Sequence, residues 1–274
     1  MALYYLMSPL TWLAFGLGAI VGSFLNVCIF RIPEGTFWQS QRSVCRGCNA
    51  KIPMYLNVPV ISWLMLRGKA RCCGVKLSVQ YPLVELLTGG VFAVIYWKYP
   101  FALLSVGGIA WDHVNLLRAA FAAVFSSLLI VCSVIDLRHM IIPDVISLPM
   151  ILLSPAVVLI HPDLDWLSSL IGIVAGGGSL YAIAWIYWLI RHEVGMGMGD
   201  VKLLAAIGGW LGYQAIIPTI LYGSILGSVG GMIVMLVGRK LTMKSAIPFG
   251  PFLALGAIIH MIVGSYIQEL ILMP

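Results

Sequence analysis

Charge is what this sequence has least of. Only 9% of its 274 residues are Asp, Glu, Lys or Arg, whereas soluble domains carry about a quarter, so an ordinary water-soluble domain is excluded. Acidic side chains are scarcer still, ten in all. The apolar stretches lack the residue-by-residue alternation that a membrane β-barrel needs. No basic residue precedes Arg31, so the first apolar stretch has no charged segment ahead of it and reads as a retained helix, not a cleavable signal. His113, His139, His161, His192 and His260 are scattered without metal-ligand spacing. Low-complexity tracts, long linkers and a convincing internal repeat are also missing.

What is present is apolar sequence, 61% of the chain, with a mean hydropathy of +1.02. Runs of about 20 such residues, enough to cross a bilayer as helix, recur at 9–30, 82–98, 114–135, 144–161, 167–190, 201–214, 216–238 and 250–271. The expectation is an all-α polytopic membrane protein of about eight spans. Gly16, Gly18, Gly22 and Ser23 offer a small-residue packing face on the first span, where Asn26 reads as an interhelical hydrogen bond. Gly223, Gly227 and Gly231 form a similar face later. The run 201–214 is short and broken by glycine, and reads as a tilted or partial helix.

Eight of the sixteen Lys and Arg residues fall in the polar stretch 31–80. The positive-inside tendency puts that loop in the cytosol and the N-terminus outside. Alternating from there leaves fourteen basic residues inside, against Lys98 and Arg118 outside. The net charge of +6 therefore reports topology beside an anionic lipid surface and not nucleic-acid binding.

With so few acids, those at helix ends stand out, because a carboxylate in a bilayer costs a few kcal/mol. Asp136 closes a long apolar run in Val-Ile-Asp-Leu-Arg-His-Met-Ile-Ile-Pro-Asp144, and Asp200 follows the glycine-rich Gly195-Met-Gly-Met-Gly199. The topology sets both on the cytosolic side. Two carboxylates in contact would share one proton; the ionised one could activate water while its protonated partner polarises a carbonyl. Gly197 and Gly199 would free the loop to place Asp200 near a substrate strand, with Lys202 and Asp144 as supporting groups. The other readings are interface charges, Asp136 with Arg138 or His139 and Asp200 with Lys202, or a proton relay in a coupled transporter.

Further stretches narrow this. Gly-x-Gly-Asp at 197–200 with an earlier aspartate resembles the intramembrane-type aspartic peptidases. Gly22-Ser-Phe-Leu-Asn-Val27 with Arg31-Ile-Pro33, Cys45-Arg-Gly-Cys48, Asn57-Val-Pro-Val-Ile-Ser-Trp63 through Leu66-Arg-Gly-Lys69, Tyr81-Pro-Leu-Val-Glu85 and Pro248-Phe-Gly-Pro251 resemble, in this order, the bacterial type IV prepilin peptidase family. The resemblance covers almost the whole chain. It implies a cytoplasmic-membrane endopeptidase that removes the short basic leader of prepilins or pseudopilins after a glycine. It also implies N-methylation of the exposed residue, typically phenylalanine, with S-adenosylmethionine as donor. The chain would then divide into 1–98, holding the loop 31–80 and the methyl-transfer part, and a peptidase domain at 99–274. Glu85, at the start of the second span, reads either as a snorkelling interface charge or as part of the methyl-transfer site.

Four of the six cysteines, Cys45, Cys48, Cys72 and Cys73, lie in the first loop. In a cytosolic loop metal binding is a better reading than disulfides, and the set resembles a four-thiolate zinc site. It departs from the family pattern, in which the second pair is also Cys-x-x-Cys: Ala70 stands where the third cysteine would fall, Cys73 matches the fourth, and Cys72 is displaced. Three thiolates with water, or no metal, are the rivals. Cys28 and Cys132 read as buried packing residues. A zinc-containing scaffold of a secretion machine would show no cleavage at all.

Overall fold

The structure, a computed structural model, describes residues 8–38, 44–45, 47–105, 108–159, 161, 163–193, 195–236 and 248–272. Arg42, Arg46, Arg239, Lys240 and Lys244, all counted in the charge asymmetry, lie outside the described residues. The chain is mostly helical. It divides into two units, Met1–Val131 and Cys132–Pro274.

In the first unit, α1 (Pro9–Arg31) packs on α3 (Gln80–Lys98), with the one-turn α2 (Ile61–Met65) in the connection between them. Ser8 caps α1 by accepting the Leu10 N–H at 3.3 Å, and Pro9 takes the first helical position, where its missing N–H costs nothing. A Cβ on Gly18 would stand 2.7 Å from the Thr88 carbonyl oxygen, and one on Gly22 2.8 Å from the Glu85 Cα. The two backbones therefore touch through these glycines, as membrane helices do through small residues. Gly16, expected on the same face, looks into open space instead. Asn26 Nδ2 donates to the Tyr81 carbonyl at 3.1 Å and to the Gly22 carbonyl at 3.3 Å, which is the interhelical bond its position suggested.

After α3 comes a short antiparallel ribbon, β1 (Ala102–Ser105) on β2 (Gly108–Trp111). This departs from the all-α expectation. Its register opposes Ala102 to Trp111, and the Phe101 and Trp111 rings stack with centroids 6.4 Å apart. The long α4 (His113–His139) follows, and the division between the units falls within it.

In the second unit α5 (Asp144–Val157), α6 (Trp166–Arg191), α7 (Met198–Leu211), α8 (Ile216–Leu236) and α9 (Gly250–Leu272) follow the end of α4. The centre is α7, whose residues Val201 and Leu203 to Trp210 are all buried. The glycine-broken run expected to be a partial helix is thus the most enclosed one. A helix apolar on every side belongs inside a bundle, and its glycines are contact points. A Cβ on Gly172 of α6 would come 2.0 Å from the Gly208 oxygen, and one on Gly176 2.5 Å from the Leu204 oxygen. Ser169 Oγ donates to the Gly209 carbonyl at 2.7 Å, and Trp210 Nε1 to the Met150 carbonyl at 2.7 Å, tying α7 to α6 and α5. On α8, Gly223, Gly227 and Gly230 make room for Phe252 of α9.

Among the described residues, four helices are long and apolar enough to cross a membrane: Pro9–Arg31, His113–His139, Trp166–Arg191 and the stretch Tyr213–Ile233. Asp144–Val157 and Gly250–Gly264 are shorter apolar helices. Fourteen residues of helix rise only about 21 Å, less than a hydrocarbon core of about 30 Å.

Candidate active site

Asp136 lies on the last turn of α4. The helix stops because Met140 turns to a left-handed φ of +56°, its N–H closing on the Asp136 carbonyl at 2.9 Å. The residue is 5% exposed, and its Oδ2 is buried without a hydrogen-bond partner among the described residues. Asp200 is the third residue of α7, after Gly197 as N-cap, so it sits on the first helical turn and not on a free loop. There the unpaired N–H groups of the helix start favour a negative charge.

Two glycines and Ile142 link the stretches that carry the aspartates. Gly250, at the start of α9, lies so close to Asp136 that a Cβ there would come 2.7 Å from Oδ2. Ile142, in the turn between α4 and α5, wedges between Gly250 and Gly199: a Cβ on either glycine would meet it at 3.0 to 3.1 Å. Gly197 is open, with only the Gly199 nitrogen near. Burial pushes the Asp200 carboxyl up to about 6, and the charge of Asp136 adds to the shift. Lys202 is not the partner of Asp200: its Nζ pairs with Asp144 Oδ1 at 2.7 Å, bridging the first turns of α7 and α5. A pocket of about 340 Å³ lies alongside, lined by Ser224, Gly227, Ser228, Pro248, Phe249 and Phe252. Ile142 and Gly250 belong to the stretches Ile141-Ile-Pro-Asp144 and Pro248-Phe-Gly-Pro251, but no spacing rule marks them as neighbours of Asp136.

A second polar group lies in the first unit. Glu85 is 7% exposed. Its Oε2 accepts the Val60 N–H at 2.7 Å. Val60 has φ +61° and ψ −52°, with Ile61 N–H closing on the Pro59 carbonyl in a γ-turn, a strained conformation for a β-branched residue. One helical turn away, Asn26 Oδ1 is buried without a partner among the described residues. Sequence reasoning missed Val60, since nothing in residue type forecasts a positive φ at valine.

The four loop cysteines meet. Their Sγ atoms all lie within 4.8 Å of one another, with Cys45 to Cys73 at 3.6 Å, Cys48 to Cys72 at 3.2 Å and Cys72 to Cys73 at 3.9 Å. Tetrahedral zinc with Zn–S of about 2.3 Å sets sulfurs about 3.8 Å apart, so the residues present, Cys72 included, fit such an ion. Cys45 is buried and the other three are exposed. Backbone N–H groups of Gly47 and Cys48 hold the Cys45 thiol down to about 6, while hydrogen bonding with Cys48 and Cys45 pushes Cys72 up to about 12. The loop also contains a short duplication that inspection of the sequence did not find: Val44 bridges to Lys51 as Lys69 bridges to Lys76.

Fold and site together define an apolar, helical protein with two neighbouring aspartates at helix ends and a four-thiol cluster between its first two long helices. Residues 17–99 match the family model of the bacterial peptidase A24 N-terminal domain, and residues 123–232 match that of the type IV leader peptidase family. Among curated proteins, the prepilin leader peptidase/N-methyltransferase of Xanthomonas campestris pv. campestris is 35% identical, over 88% of this chain and 87% of its own length. Proteins of the same name from Stutzerimonas stutzeri, 34% identical over 92% and 90%, and Dichelobacter nodosus, 35% identical over 97% and 96%, are similar along almost their full lengths. No solved structure matches significantly. The chain belongs to the type IV leader peptidase family. That membership leaves the transporter reading without support.

Proposed function

We propose that this protein cleaves the leader from prepilins and N-methylates the residue exposed. Family membership along nearly the whole chain carries this reading. Within it, Asp136 and Asp200 are the peptidase pair, supported by the packing of Gly250, beside Asp136, and Gly199, next to Asp200, against the one side chain of Ile142. Two such carboxylates hold one proton between them. The ionised member takes a proton from water, whose oxygen attacks the scissile carbonyl carbon, while the protonated member donates to the carbonyl oxygen. On collapse the carbon–nitrogen bond breaks and the amine nitrogen receives a proton from the pair. Asp136 Oδ2, which makes no hydrogen bond among the described residues, is the oxygen that accepts from water. Gly197, Gly199, Lys202 and Asp144 position the pair.

The methyl-transfer part belongs to 1–98, including the loop 31–80, and the peptidase part to 99–274. S-adenosylmethionine, when bound, supplies the methyl group on a cationic sulfonium. Glu85 and Asn26 fit a cation, being buried oxygens of which one has no partner, and would hold it between α1 and α3. The substrate amine must be neutral and in line with the donor, a task of orientation. Zinc held by Cys45, Cys48, Cys72 and Cys73 would fix the fold of the loop and take no part in either reaction.

The protein lies in the bacterial inner membrane, crossing it about eight times, N-terminus outside, with the cysteine loop and both aspartates on the cytosolic side. The basic distribution supports this orientation. Basic leaders would then wait at the anionic lipid surface beside the site. The test is mass spectrometry of a prepilin co-expressed with this protein. Loss of the leader together with a gain of one methyl on the new N-terminus is expected; an intact prepilin would refute the reading.

A further inference from the structure

Residues 44–51 and 69–76 are one turn used twice, 25 positions apart. Cys45 N–H bonds the Ala50 carbonyl at 2.8 Å as Ala70 N–H bonds the Val75 carbonyl at 2.8 Å, and Asn49 N–H bonds the Cys45 carbonyl as Gly74 N–H bonds the Ala70 carbonyl, again both at 2.8 Å. Asn49 and Gly74 both have positive φ, +56° and +70°. The sequences follow: Cys-Arg-Gly-Cys-Asn-Ala-Lys at 45–51 and Ala-Arg-Cys-Cys-Gly-Val-Lys at 70–76. Cys48 thus corresponds to Cys73, Cys45 to Ala70, and Gly47 to Cys72. Cys45 and Ala70 are buried alike, 3% and 8% exposed, so position 70 is a ligand position that carries no ligand.

We propose that Cys72 has taken over the coordination that position 70 lost, making this an asymmetric four-thiolate centre in which one turn ligates from its first and fourth positions and the other from its third and fourth. The correspondence of Gly47 with Cys72 explains how the third position reaches the centre. A Cβ on Gly47 would stand 3.2 Å from Cys73 Sγ of the opposite turn and 3.0 Å from Val75 Cγ1. By the same relation the side chain of Cys72 faces Cys48 of the opposite turn, and its Sγ is 3.2 Å away. Side chains at both third positions would crowd the centre. Glycine at 47 leaves the space on one side, and cysteine at 72 fills it on the other with a thiol. Gly74, with φ +70° and nothing within 4 Å of a Cβ, permits the turn that lets two adjacent cysteines face one point.

This inference rests on the metal reading of the cluster, and cobalt titration of the full-length protein in detergent separates the two. Sulfur-to-cobalt charge-transfer intensity reports the number of thiolates on the ion. The wild type should show four-thiolate intensity in a tetrahedral site, Cys72→Ala about three-quarters of it, and the double variant Ala70→Cys/Cys72→Ala the full intensity again. A wild type that binds no cobalt overturns the metal reading and this inference with it. A wild type that binds while Cys72→Ala keeps full intensity overturns the inference alone. So does a double variant that fails to recover, because it retains four cysteines at the positions the repeated turn dictates.

Discussion

At Asp136 the carboxylate is buried, and one oxygen makes no hydrogen bond among the described residues, an arrangement that costs stability when the charge stays unpaired. A position that served packing alone would be better filled by an apolar side chain. Asp136→Asn and Asp200→Asn keep the shape and remove the acid–base step, so each should lower cleavage by about three orders of magnitude or more, with unchanged protein level in the membrane. A prepilin-cleavage time course checks this, and near-normal processing by Asp200→Asn would sink the pair. Gly250→Ala tests the same site without touching a carboxylate. The added methyl would come 2.7 Å from Asp136 Oδ2 and 3.0 Å from Ile142 Cδ1, so Asp136 must shift. Cleavage should fall by about 10-fold to 100-fold, since catalytic groups misplaced by about 1 Å lose that much. Wild-type rates in purified Gly250→Ala protein would show that Asp136 does not depend on its seat against α9.

Among the elements α7 decides where Asp200 lies, and two kinds of contact hold it. Backbone contact with α6 through Gly172 and Gly208 has no slack. Gly208→Ala should therefore destabilise the second unit by about 1–3 kcal/mol, the usual cost of overpacking, read as a lower melting temperature in detergent. The Lys202–Asp144 pair is of another kind. Both groups are partly exposed, 32% and 56%, and such pairs contribute at most about 1 kcal/mol to stability. Its effect should appear in position: Lys202→Met lowers cleavage by about threefold to 10-fold with little change in melting temperature. The charge-exchanged Asp144→Lys/Lys202→Asp protein recovers part of the rate. Equal loss in the exchanged protein would mean that Lys202 acts through something other than Asp144.

For the molecule as a whole, the division at Val131 and Cys132 leaves Glu85 and the cysteines in one unit and Asp136 and Asp200 in the other. If the two reactions divide the same way, Glu85→Gln should yield pilin that is cut but unmethylated. A pre-cleaved peptide should be methylated by Asp136→Asn protein at the wild-type rate. Mass spectrometry reads both, and loss of methylation in Asp136→Asn would require one shared site. Orientation is tested separately, by reporters fused after Lys76, expected cytosolic, and after Asp163, expected external. The opposite pair of readings would put both aspartates on the outer face.

The sequence by itself determined the class of the molecule, because scarce charge and long apolar runs are properties of local composition that tertiary packing does not alter. It also marked Asp136, Asp200 and the four cysteines, whose cost or reactivity makes them rare enough to notice. Tertiary structure decided what no local rule carries. Ile142, Gly199 and Gly250 come from three separate stretches and matter only because they touch. Lys202 pairs 58 residues back with Asp144, although Asp200 is two residues away. The run 201–214 read as a weak span because glycine lowers helix propensity. It became the buried centre of the second unit because the same glycines let α6 approach its backbone, and close packing outweighs propensity of at most about 1 kcal/mol per residue.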